Sequence, residues 1–68
     1  MELKDIEAFK VWLDKFGIAH RPGKGEWEVL QVLTADFGYR VIHKNKHGRL
    51  TVSDKLDSIV EDFERVNN

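Results

Sequence analysis

Apolar residues recur at helical spacing at both ends of the chain and alternate in its middle. Between Leu3 and Phe16, Ile6, Phe9, Leu13 and Phe16 stand three, four and three residues apart with Trp12 beside them, which is the stripe of an amphipathic helix. Gly17 follows the last periodic residue and can take the left-handed conformation that closes a helix, with Ile18 folding back on the stripe. Residues 18–25 read as a short extended piece ending in a Pro-Gly turn cluster, Pro22 to Gly25. Glu26 to Leu33, Tyr39 to Lys44 and Arg49 to Val52 read as strands, separated by a turn at 34–38 and by the loop Asn45-Lys46-His47-Gly48, where Gly48 can supply the left-handed position of a hairpin. A second helix begins after Ser53, whose hydroxyl can cap it, and carries Leu56, Ile59, Val60 and Phe63 as its stripe.

This order predicts an α+β fold, one domain over residues 1–68. It runs helix, three- or four-stranded antiparallel meander, helix, with both helices on one face of the sheet. Alternation does not say which face. Trp27, Val29, Leu33, Tyr39 and Val41 can share one side and Leu30, Val32 and Ile42 the other, so either choice leaves apolar side chains uncovered. Uncovered patches of this sort mark partner or self-association surfaces, and a homodimer would use them as another protein would.

At 68 residues the chain has room for one core, and at 41% hydrophobic content with a net charge of −1 it is too apolar to be disordered. It has no cysteine, which excludes disulfides, thiolate zinc sites and thiol nucleophiles. With no apolar run near the length of a membrane span and no signal-peptide pattern at its start, a cytoplasmic protein is expected.

Charge is segregated along the chain. Residues 20–50 carry a net +3, residues 1–19 a net −1 and residues 51–68 a net −3, and all three histidines lie in the basic middle. A meander alternates its turns, so the turns at 22–25 and 45–48 should fall at the same end of the sheet and gather Arg21, Lys24, Lys44, Lys46, His47 and Arg49. Arg40 and Ile42 would lie at the centre of a contact face if Tyr39 and Val41 faced the helices, and the competing assignment puts Tyr39, Val41 and Trp27 outside instead. Such a surface fits another protein, or alternatively a nucleic-acid strand held weakly by the basic tips, with Trp27 or Tyr39 stacking on an unpaired base. The pI of about 6.3 and the acidic second helix favour the protein.

Other chemistry has ordinary explanations. His43 and His47 are four apart in a hairpin, where that spacing lacks the geometry of a helical metal site. Gly23-Lys24-Gly25 lacks the remainder of a phosphate loop. Ser53 is accounted for as a helix cap, and the acids of the second helix fall on its solvent side. No enzyme activity, cofactor or metal is expected.

FKVWLDKFGIAHRPGKGEWEVLQV followed by YRVIHKNKHGRLTV resembles the short accessory proteins of tailed bacteriophages and prophages: a helix ending in Gly-Ile, a glycine-rich turn, a strand around a Trp and a basic hairpin. The likeness covers residues 8 to 52 and brings no catalytic residues with it. It implies a protein that acts by binding host or phage components in the cytoplasm.

Overall fold

The computed structural model describes residues 2–36 and 38–67, for residue 67 the backbone only. Among these, the chain runs β1 (Glu2–Leu3), α1 (Ile6–Lys15), β2 (His20–Pro22), β3 (Glu28–Leu33), β4 (Tyr39–Lys44), β5 (Leu50–Val52), a 3-10 turn (Asp54–Leu56) and α2 (Asp57–Asn67). The strands form one antiparallel sheet in the order β1-β5-β4-β3-β2. β2 to β5 make the expected meander, and β1 adds a fifth strand beside β5. Each neighbour being antiparallel, the two edges β1 and β2 run parallel, and α1 carries the chain from one to the other. Five strands span about 19 Å between outer strand axes and a ten-residue helix about 15 Å, so the connections at 4–5 and 16–19 supply the rest.

Local chemistry fixes the helix ends. Asp5 caps α1 by accepting a hydrogen bond from the Ala8 amide at 3.0 Å. At the other end Ile18 N–H donates to Leu13 O at 2.9 Å and Gly17 N–H to Asp14 O at 3.2 Å, the paired bonds of a Schellman motif, with Gly17 at φ 68°. Ser53 caps the 3-10 turn through the Lys55 amide. Gly48 sits at φ 79° in the β4–β5 hairpin, as expected.

Cross-strand register decides the question that alternation left open. Ile42 stands opposite both Leu30 and Val52, so these three share a face, and Val32 shares it two residues along β3 from Leu30. Together with Leu3 they are buried in one core with Phe9, Trp12 and Leu13 of α1, Leu56 of the 3-10 turn, and Val60 and Phe63 of α2. Phe63 meets Phe9 edge-on, with ring centroids 5.1 Å apart, and Trp12 at 5.7 Å. Leu33, Tyr39 and Val41 lie outside this core. Phe16, expected in the helical stripe, is instead the C-cap residue and 57% exposed, and Trp12 takes the core position.

Candidate functional site: the sheet face outside the core

Arg21 stands opposite Gln31, Gln31 opposite Val41, and Leu33 opposite Tyr39, so these five side chains belong to the face turned away from Ile42. A register shift between Glu28 and Leu30 brings Glu28 opposite His43, and His43 is opposite Thr51. The bulge therefore turns Glu28 onto the same face as Gln31, where the unbroken alternation of a regular strand would have put it on the core side.

A polar network covers part of this face. The guanidinium of Arg21 lies 3.7 Å from the centre of the Tyr39 ring. Its Nε donates to Gln31 Oε1, and Gln31 Nε2 donates to Glu28 Oε1 at 2.8 Å. Gln31 is only 4% exposed, yet both ends of its amide are satisfied, which is what a buried polar side chain requires. Towards β5 the face opens further. β4 continues past its last pair with β5, Ile42↔Val52, so Tyr39, Arg40 and Val41 have no strand beside them on that side among the described residues. A hollow of about 390 Å³ lies there, lined by Tyr39, Val41, His43, Thr51 and Ser53 among others.

The predicted contact residues separate into three groups. Lys24, Lys44, Lys46, His47 and Arg49 lie at one end of the sheet, where the loops at 23–27 and 45–49 fall side by side and the amide of Lys44, at the end of β4, donates to Trp27 O at 2.8 Å. Asn45 holds the second loop through Oδ1, which accepts from the amides of His47 at 2.9 Å and Arg49 at 3.0 Å. Trp27, at the same end, is 53% exposed. Acids share that end: Glu26 and Glu28 border the first loop, Glu28 accepts from the Lys24 amide, and Arg49 lies 3.8 Å from Glu2. Arg21 is set back on the sheet against Tyr39.

Two expectations need correction. Ile42 is fully buried, so it is a core residue and not the centre of a contact face. Arg40 belongs to the opposite end of the sheet, where its Nη2 donates to Asp36 at 2.8 Å across the turn at 34–38. Both follow from the same parity: Tyr39 and Val41 face outwards, which turns Arg40 and Ile42 towards the core side. At that turn, the Thr34 hydroxyl first and the Arg40 guanidinium second hold the Asp36 carboxyl well below its usual range, at about 2.

Gly23 serves the first loop through close packing. A Cβ there would stand 1.6 Å from the carbonyl oxygen of Glu28, so only glycine fits. Among the described residues no three His, Cys, Asp or Glu side chains, His43 and His47 included, cluster as a metal site. Among them, too, no helix is long and apolar enough to cross a membrane. Comparison with protein-family models, with curated proteins and with solved structures finds no match to this chain.

Proposed function

We propose that this chain is a small non-enzymatic binding protein of the cytoplasm, which engages another protein through the sheet face outside its core and through the basic hairpin at 45–48. In this reading both helices lie behind the sheet, and the accessory proteins of tailed phages that the chain resembles act in the same general way. The observation that carries it is the composition of the free face: Leu33, Tyr39 and Val41 stand together outside the core beside an ordered polar network and an open hollow. Half-apolar, rigid surfaces with an aromatic and an arginine are the usual makings of a protein contact.

A second reading, weak binding of a single nucleic-acid strand, draws support from the exposed Trp27 at the same end as Lys24, Lys44, Lys46 and Arg49. It ranks below the first because Glu26, Glu28 and Glu2 cancel much of that charge.

The test is capture of partners from host lysate with and without nuclease, followed by amide chemical-shift mapping of the labelled chain with whatever is captured. Shifts at Arg21, Gln31, Tyr39, Val41 and Thr51, insensitive to nuclease, are expected. Shifts restricted to the outer faces of α1 and α2 would exclude the proposal, and capture abolished by nuclease would turn the choice to the second reading.

A further inference from the structure

Three of the four arginines are paired with carboxylates: Arg40 with Asp36 at 2.8 Å, Arg49 with Glu2 at 3.8 Å and Arg65 with Asp62 at 3.3 Å. Arg21 is exposed and, among the described residues, has no acidic partner. Its position is nonetheless fixed. The ring of Tyr39 supports the guanidinium plane, Gln31 Oε1 takes the Nε proton, and Glu28 orients the Gln31 amide from behind. Those contacts leave the two terminal nitrogens as donors, already oriented, in a side chain whose rotamer freedom was lost when the protein folded. A ligand that meets them incurs little further ordering cost.

We propose that Arg21 is the anchor of the partner face and receives, end-on through its two terminal nitrogens, a carboxylate from an acidic extended segment of the partner protein. This rests on the reading of the face given above and adds the chemistry of the partner. A carboxylate matches the spacing of the two donors and forms the paired hydrogen bonds that guanidinium groups favour. A polyanion fits poorly, since the strand neighbours of Arg21 on this face are Gln31, Tyr39, Val41 and Leu33, all uncharged, and Glu28 is the nearest charge in the network. The same neighbours call for apolar side chains alternating with the acid, to cover Val41 and Leu33 as an extended segment would.

The experiment titrates the labelled protein with three probes: a blocked hexapeptide of alternating glutamate and valine, the same peptide with lysine for glutamate, and an oligothymidylate hexamer. The acidic peptide should move the Arg21 Nε–H resonance and the Val41 amide at about 1 mM, the range of a weak single-segment contact. Arg21→Gln should weaken it at least about tenfold, and Arg21→Lys should fail to restore it, because a lysine keeps the charge without the planar pair of donors. Arg21 is exposed on an edge strand, so both variants should keep the wild-type circular dichroism. Wild-type affinity in either variant, a footprint limited to residues 45–48, no shift at that concentration, or tighter competition by the oligothymidylate at Arg21 would each overturn the anchor. A partner captured from lysate separates the two ideas. If it maps to Tyr39 and Val41 with equal affinity for Arg21→Gln, the anchor is lost and the face stands; if it maps to the helices, both are lost.

Discussion

Val41 and Ile42 are adjacent in sequence and opposite in fate. Ile42 is fully buried between Leu30 and Val52, whereas Val41 is half-buried on the free face. Truncating Ile42 to alanine should cost about 2–5 kcal/mol, the range for emptying a buried aliphatic site, and Val41→Ala less than about 1 kcal/mol. Equal losses in chemical denaturation would contradict the assignment of the two faces. In the core, Phe9 and Phe63 meet edge-to-face, so Phe9→Ala or Phe63→Ala should each remove about 3–5 kcal/mol, and in so small a domain either change can unfold it. Thermal melts that move by less than a few degrees for both would count against this packing. Asp36 offers a test by titration. Its pKa is lowered on folding from 3.8 to about 2, so its contribution to stability is present above pH 3.8 and is lost as pH falls through about 2. Carboxyl-carbon NMR should find its midpoint near 2, and Thr34→Ala, which removes the largest cause, should move the midpoint up towards 3.8. A wild-type midpoint at the ordinary value would show that the Thr34–Asp36–Arg40 turn does not form in solution.

Gly17 ends α1 with a left-handed residue whose Cβ would meet open space, so the cost of a side chain there is conformational alone. Gly17→Ala should therefore lower stability by about 1–2 kcal/mol without disturbing the core. A neutral outcome in urea melts would mean that the Schellman turn is not held. This cap was legible in the sequence because a glycine directly after an amphipathic stripe has a specific backbone role. So were β4, Tyr39–Lys44, and the hairpin after it, where alternation and a glycine-bearing loop agree. Three features were not legible, each for its own reason. β1 is two residues long, too short to show a period, and Leu3 fitted the helical stripe as well as it fits the sheet. The bulge at Glu28–Leu30 breaks alternation within one strand, and only its pairing with His43 and Ile42 reveals which way Glu28 turns. The Arg21–Tyr39 contact joins β2 to β4 across β3, a relation fixed by register between three strands and invisible to any local pattern. The edges explain why the sheet stops where it does: β1 offers two residues to a further strand, and β2 ends in Pro22, which has no N–H to offer.

The radius of gyration, 11.0 Å, matches the roughly 11 Å expected for one compact domain of this length. Within that volume β2–β3 and β4–β5 turn at the same end while the Asp36–Arg40 pair closes the other, so the basic hairpin stands beside the acids Glu2, Glu26 and Glu28. The result is a basic rim whose strength can be bounded. Lys44, Lys46 and Arg49 are the cations of the 45–49 hairpin and its base, and Arg49 is already near Glu2. Three cations facing a single strand would release at most about two counterions' worth of salt dependence, a slope of log K against log salt no steeper than about −2. Trp27 adds one stacking surface, which favours unpaired bases over duplex. Titrated with a single-stranded oligonucleotide, the protein should thus bind weakly and only at low salt, with the Lys44, Lys46 and Arg49 triple alanine variant losing that binding. A slope well beyond −2 would require phosphate contacts from outside the hairpin and would make nucleic acid the principal ligand. Affinity unchanged by both salt and the triple substitution would exclude the basic rim from binding altogether.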